Sequence, residues 1–324
     1  MKCLDEILTN EIHTAAIAGH VNPDGDCVGS CTAVYQYLRS YYPEIETDLY
    51  LEKPDASLLF LKGMEDAKDA LDTNRHYDLF ISCDASTPDR IAVAGELLSK
   101  ADLTVSIDHH MSNPGFAGLN HIEAEASSCA EVLAGLMPEE RIDAGIAASL
   151  YTGIIHDTGV FQYRNTTPAT LRTASMLISK GIDFNKIIDE SFNQRTWVQN
   201  RILGCALERS ELSAGGLLVV SGIRKEDLVQ FGAEVRDLSM IVSQLRLTKG
   251  VECAAFVYQT GEDTFKVSLR SCSWLDVAEI CGKYGGGGHL RAAGCTIQGT
   301  YEEVRAVITE AVREALERQY EAVR

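Results

Sequence analysis

The chain has no run of the roughly 18 consecutive apolar residues that a membrane helix needs. Residues 1–20, MKCLDEILTNEIHTAAIAGH, break their apolar stretches with charge, so no signal-peptide core is expected there. The sequence also lacks a CxxC pair. Its ten cysteines are scattered, most of them in apolar or strand-like contexts such as Cys83, Cys205 and Cys253. They form neither a zinc-site spacing nor a disulfide framework, and the expectation is reduced, buried thiols in a cytoplasmic protein. No low-complexity segment and no internal repeat interrupts the chain. Cations are scarce, with 29 Lys+Arg against 47 Asp+Glu and a formal net charge of −18. A chain this acidic repels long duplex nucleic acid and anionic membranes, so any phosphate chemistry must sit at a local cationic site.

What is present is a globular composition, 324 residues of which 45% are hydrophobic, with room for two domains. The first half alternates short apolar runs with helical patterns. Ala15–Gly19, Thr47–Leu51, Leu79–Cys83 and Leu103–Ile107 read as strands, and Cys27–Tyr41 reads as a helix. Apolar runs without alternation suit parallel strands covered on both faces. The expected fold is α/β: an N-terminal open parallel sheet flanked by helices over residues 1–190, a helical linker over 191–213, and a smaller C-terminal α/β domain with a mixed sheet over 214–324. In the second half, Gly216–Ser221, Val251–Gln259 and Phe265–Arg270 read as strands, while Asp237–Leu247 and Tyr301–Gln319 read as helices.

Four polar clusters follow apolar runs in the first half: HVNPDGD at 20–26, CDAST at 83–87, DHH at 108–110 and HDTG at 156–159. The run before the fourth, Ala147–Ile155, is longer and also reads as helix. Ligands of open α/β sheets bind outside the carboxyl ends of the strands, so these clusters can converge. Asp24 and Asp26, with Gly25 between them, would repel each other unless cations neutralised them. Asp84, Asp108 and Asp157 add carboxylates, and His20, His109 and His110 add imidazoles. Such N/O donors suit Mn²⁺ or another divalent first-row ion. Two ions about 3.5–4 Å apart would serve a phosphoryl displacement. His13, His76 and His121 have no partner pattern. His156 precedes Asp157, but a sequence neighbour often points away, and its role stays open.

GGGGH at 285–289 has no Lys-Ser/Thr after it and is not a Walker-type loop. Its glycines let backbone N–H groups approach an anion, with His289, Arg291 and Arg270 of SLRS (268–271) adding charge.

Taken in series, HVNPDGDCVGS, CDAST, DHH, HDTG, SLRS and GGGGHLRAAG resemble the DHH phosphoesterase family with its DHH-associated C-terminal domain. The resemblance spans nearly the whole chain in the family's order, and the length suits the stand-alone oligoribonuclease and pAp-phosphatase type. It implies a two-Mn²⁺ phosphodiesterase or phosphatase. One ion would be held by His20, Asp24 and Asp84, the other by Asp26, Asp84, His109 and Asp157. His110 would contact the scissile phosphate and Asp108 would orient a histidine. Arg270, Ser271, Gly286, Gly287, Gly288 and His289 would hold the far end of a short nucleotide. The implied substrates are short oligoribonucleotides, cut to 5′-mononucleotides, and 3′-phosphoadenosine 5′-phosphate (pAp). Neither long duplex nucleic acid nor a membrane is an expected partner, and a homodimer is left open. The linear dinucleotide pApA is an alternative substrate, and a non-catalytic nucleotide sensor is an alternative of another class.

Overall fold

Strands covered on both faces are what the apolar runs of the first half form in the computed structural model, which describes residues 1–323. β1 (Thr14–Ala18), β2 (Glu46–Tyr50), β3 (Leu79–Cys83), β4 (Leu103–Asp108) and β5 (Leu119–Ile122) make an all-parallel sheet in the order β2-β1-β3-β4-β5. Ile17, Ile81, Val105 and Ile107 face one core, while Ala16, Ala18 and Phe80 face another with Tyr50, Tyr77 and Ile91. Because all five strands run the same way, their carboxyl ends share one edge. The chain goes from β1 out to β2, then returns to the other side of β1 to lay down β3. The strand order therefore reverses between β1 and β3, where open sheets build their sites.

The helices of this unit are α1 (Gly25–Tyr41), α2 (Cys129–Leu136), α3 (Ala144–Asp157), α4 (Pro168–Ser179) and α5 (Phe184–Ile188), the last continuing as a π-helical turn over Asp189–Asn193. α1 links β1 to β2 and is buried from Gly25 to Leu38. Polar inward residues tie it to α3: Thr32 Oγ1 donates to Ser149 Oγ at 3.0 Å, and Gln36 Nε2 donates to the same oxygen at 2.9 Å. The run Ala147–Ile155 lies within α3, so the fourth cluster follows a helix rather than a strand. β5 carries no apolar run long enough to announce it in the sequence.

The chain divides into two compact units, Met1–Gln194 and Arg195–Arg324. The second holds a six-stranded mixed sheet of β6 (Glu211–Ser213), β7 (Leu218–Ile223), β8 (Cys253–Gln259), β9 (Thr264–Ser271), β10 (Gly287–His289) and β11 (Ala292–Gln298). The order is β10-β11-β9-β8-β7-β6, and only β7 and β8 pair in parallel. Helices α6 (Trp197–Glu208), α7 (Lys225–Phe231), α8 (Ile241–Arg246), α9 (Val277–Gly282) and α10 (Tyr301–Val323) complete it. Successive residues of β7 and β8 alternate between two cores: Leu218, Val220, Cys253 and Ala255 on one face, Val219, Ala254 and Phe256 on the other. Ile202 and Ala206, one turn apart on α6, pack on the second face, so α6 belongs to this unit's core. Among the described residues, no helix is long and apolar enough to cross a membrane.

Candidate metal centre

The site is assembled at the carboxyl ends of β1, β3 and β4, three neighbours in the sheet. His20 lies two residues past β1, Asp84 immediately past β3, and Asp108 ends β4 with His109 and His110 behind it. Asp84 sits in the left-handed region at φ 55°, a conformation that Asp tolerates better than most residues but that still costs roughly 1–3 kcal/mol. Its N–H, bonded to the Ile107 carbonyl at 3.0 Å, holds it there. The turn directs one carboxylate towards both histidine groups. Oδ2 lies 3.5 Å from His20 Nε2, and Oδ1 lies 3.6 Å from His109 Nε2.

Two further carboxylates come from the start of α1. Asp24 caps the helix, its Oδ1 accepting from the N–H groups of Asp26 and Cys27 at 3.1 Å each while lying 3.7 Å from His20 Nε2. Asp26 has no exposed surface, and a charge there needs compensation. The first turn of α2 supplies part of it: the N–H groups of Cys129 and Ala130 donate to Asp26 Oδ2 and Oδ1 at 2.7 and 2.9 Å. Asp26 thus sits in the favourable field of two helix N-termini, its own and that of α2. Asp157 arrives from the C-terminus of α3, its Oδ2 3.3 Å from His109 Nε2, whose distance to Asp26 Oδ2 is 3.8 Å. Immediately beyond it, Gly159, Val160 and Phe161 all have positive φ (55°, 54° and 65°), rare for a β-branched residue. Asn165 steadies this turn, its Nδ2 donating to the Asp157 carbonyl at 3.1 Å and to the Ser127 carbonyl at 2.9 Å.

Without a cation the acids here cannot all ionise. Burial, then the charge of Asp26, pushes the Asp84 carboxyl well above the usual range, and burial raises that of Asp26 as well. Asp157 is pushed up to about 9, by burial first and then by Asp26 and Asp24. For His20, burial works against the charged form, but Asp24 and Asp84 prevail and raise it to about 12. Two features suit divalent cations. Asp84 Oδ1 is buried with no hydrogen-bond partner, a costly state that a cation would relieve. His20 Nδ1 is spent on the Val21 carbonyl at 2.8 Å, which leaves Nε2 facing the carboxylates, where a cation would take the place of its proton. His20 and Asp84 can ligate on one side, and Asp26, His109 and Asp157 on the other.

Asp108, fully buried and grouped with Asp84, His109 and His110, stands apart by its bonding rather than its place, because its oxygens are already engaged. Its Oδ1 accepts from His110 Nδ1 at 2.7 Å and its Oδ2 from Asn113 Nδ2 at 2.7 Å. Burial alone would raise its pKa, but the bonds from His110 and Asn113 outweigh that and hold it below the usual carboxylate range. His156 is also apart. Its ring fills the space beside Gly25, where an added Cβ would lie 2.1 Å from it, and its Nε2 pairs with Ser191 Oγ at 3.2 Å. Burial lowers its pKa, so the ring is neutral. The glycine of DGD and the histidine of HDTG are thus a packing pair. His76 and His121 pair with Asp102 and Glu123 on the surface.

In the second unit the GGGGH segment forms the edge hairpin β10–β11. Gly288, at φ 143°, lets its strand approach β11, where a Cβ would lie 2.5 Å from the Ala292 carbonyl. His289 pairs with Ala292, which pairs with Arg270, so both side chains share one sheet face about 10 Å apart with only a methyl group between them. Gly286, Gly287, Gly288 and His289 are exposed or half-buried. Ser271 is buried, its hydroxyl donating to the Leu275 carbonyl at 2.7 Å, and Arg291 donates to the same carbonyl at 2.8 Å.

Residues 14–154 match the DHH family, N-terminal domain, and residues 217–318 match the DHHA1 domain. The bifunctional oligoribonuclease and PAP phosphatase NrnA of Thermus thermophilus is 30% identical over 322 residues, covering 98% of this chain and 95% of that protein. The chain belongs to the DHH family. It is accordingly a hydrolytic enzyme of the phosphoesterase class. A crystal structure of an exopolyphosphatase-related protein from Bacteroides fragilis superposes with a TM-score of 0.84 at 25% identity, covering 95% of this chain and 92% of that one. The cyclic-di-AMP phosphodiesterase PdeA of Listeria monocytogenes is 28% identical, covering 90% of this chain but 46% of that longer protein.

The DHH unit also uses residues that the motifs did not single out. The α2 cradle for Asp26 was signalled locally by Ser127-Ser128 ahead of Glu131, a capping pattern in which Ser128 Oγ accepts the Glu131 N–H at 3.0 Å. Nothing in the sequence linked that cap to a carboxylate about a hundred positions away. Asn113 and Asn165 gave no signal beyond their place near a motif.

Proposed function

We propose that this DHH enzyme is a Mn²⁺-dependent phosphodiesterase and phosphatase. It hydrolyses short oligoribonucleotides to 5′-mononucleotides and removes phosphate from pAp in the cytoplasm. The observation that carries the reading is the Asp84 carboxylate, whose two oxygens face two separate histidine-carboxylate groups. His20, Asp24 and Asp84 would hold one cation, and Asp26, Asp84, His109 and Asp157 the other. The N/O donor set suits Mn²⁺ or another divalent first-row ion. Two such ions would supply an activated water and stabilisation of the leaving oxygen. The chain's own contribution is orientation. Asp108 holds His110 by Nδ1, leaving Nε2 to bond a phosphate oxygen. Arg270, Ser271, the Gly286–Gly288 backbone and His289 would bind the far phosphate and sugar, Ser271 by supporting the loop rather than through its engaged hydroxyl. The Thermus relative's two activities and the ten free cysteines accord with this reading.

The test is Mn²⁺-dependent hydrolysis of labelled RNA from dimer to 24-mer, with pAp and pApA alongside. Fast release of 5′-mononucleotides from dimer to pentamer, together with pAp turnover, is the expected result. Equal rates on dimer and 24-mer would remove the short-substrate reading. Turnover confined to pApA would favour the specialised dinucleotide activity, and binding of pAp without turnover would make the protein a sensor.

A further inference from the structure

Asn113, three residues past the DHH triplet, ties together the ends of two strands. Its Nδ2 donates to Asp108 Oδ2 at 2.7 Å and to the Ala85 carbonyl at 3.1 Å, with Ser106 Oγ at 3.4 Å. Its Oδ1 accepts the Gly115 N–H at 2.9 Å. An amide has two N–H groups, and here Asp108 and Ala85 take both. Asp108 ends β4, and Ala85 follows the left-handed Asp84 that stands just past β3.

The other oxygen of Asp108 is occupied as well. Oδ1 accepts from the backbone N–H groups of His109 and His110 at 2.8 and 3.2 Å and from His110 Nδ1 at 2.7 Å. With Oδ2 anchored, the carboxylate cannot rotate, and Oδ1 stays on the imidazole. We propose that Asn113 is a positioning residue. Through Asp108 it fixes His110 in the tautomer with Nδ1 protonated and Nε2 turned outward, and through Ala85 it steadies the turn that carries Asp84. Its effect on turnover rests on the proposed role of His110 at the phosphate; its effect on the ring does not.

The competing explanation is that Asn113 only caps its own turn through Gly115. Asn113→Asp keeps the Oδ1 acceptor and the size but removes the donor, whereas Asn113→Ala removes both. Both variants are expected to lower kcat about 10–100-fold, the range for residues that orient a ligand or catalytic group from behind. KM should stay within about threefold and Mn²⁺ content should not change. In full-length, ¹⁵N-histidine-labelled protein, His110 should pass from a single Nδ1–H tautomer to a mixture. Wild-type kcat and a wild-type His110 spectrum in Asn113→Asp would overturn the proposal in favour of turn capping. Loss of Mn²⁺ with an unchanged His110 spectrum would overturn it too. The spectrum needs no substrate, so it decides the matter even if the proposed activity fails. If Asn113→Ala does not fold, Asn113→Asp carries the test.

Discussion

The two units treat charge in opposite ways. The DHH unit gathers Asp26, Asp84 and Asp157 with His20 and His109 where water is largely excluded, and the chain compensates them only in part, through helix N-terminal amides and the raised His20. The DHHA1 unit leaves His289 and the glycine backbone at a sheet edge, with Arg270 half-buried on the same face. Of its two buried acids among the described residues, Asp227 pairs with Arg209 at 2.7 Å, and Glu252 is fully compensated. Glu252 Oε1 accepts the N–H groups of Ser273, Trp274 and Leu275 at 3.1, 2.8 and 2.9 Å, and Oε2 accepts the Ser273 hydroxyl at 2.6 Å. A buried acid that has its donors is scaffold, and it fixes the loop behind Ser271. A set of buried acids short of donors, with one carboxylate oxygen left bare, is a receptor for cations.

Asp84→Asn should break this contrast most severely. The amide keeps the size and the left-handed tolerance but supplies only one neutral oxygen to a place where two anionic ones face separate groups. Activity should fall about a thousandfold or more, the scale of losing several kcal/mol of transition-state charge stabilisation. Far-ultraviolet circular dichroism should be unchanged. Near-normal turnover would show that Asp84 is not shared between two cations. Arg270→Ala and His289→Ala should sharpen the contrast from the other side. On the proposed substrate grip each would remove one charge-assisted bond, worth about 1.5–3 kcal/mol, so KM for a dinucleotide should rise roughly 10–100-fold. Bound Mn²⁺ should stay at its wild-type level, and metal loss in these variants would misplace them.

The sheet of the DHH unit was legible because β1, β3 and β4 are buried on both faces and show as unbroken apolar runs. The residues past their ends could be named from the motifs alone. What could not be read was the support around them. Asp26 depends on the amides of Cys129 and Ala130, and Asp108 on Asn113, contacts that folding brings together across unrelated stretches of chain. The run Ala147–Ile155 was ambiguous because a short apolar stretch fits a buried helix as well as a strand. GGGGH does not read as a strand, since glycine carries no strand signal. Its pairing with Ala292–Gly294 is stabilised by backbone approach, not by side chains that a pattern would reveal.

The contrast has a smaller, thermodynamic form in the pH dependence of stability. In cation-free protein Asp157 is raised to about 9 from 3.8, and His20 to about 12 from 6.5. A raised value means that the folded state holds a proton that the unfolded chain releases. The contribution of Asp157 is therefore complete below pH 3.8 and is lost as pH climbs towards 9; that of His20 is lost between 6.5 and 12. Both slopes have the same sign, so between about pH 6 and 9 the chelated protein should lose stability, at about 2–4 °C of melting temperature per pH unit. Glu252 slopes the other way. Burial would raise its pKa, but the bonds from Leu275, Ser273 and Trp274 hold it below its usual 4.5, so its contribution is present above that value and fades only in acid. Saturating Mn²⁺ should take the place of the protons in the DHH unit and flatten the slope between pH 6 and 9, read by calorimetry with chelator and with metal. A chelated protein equally stable at pH 6 and pH 9 would mean that the buried acids of the DHH unit are compensated as completely as Glu252, and the distinction between scaffold and receptor would fall.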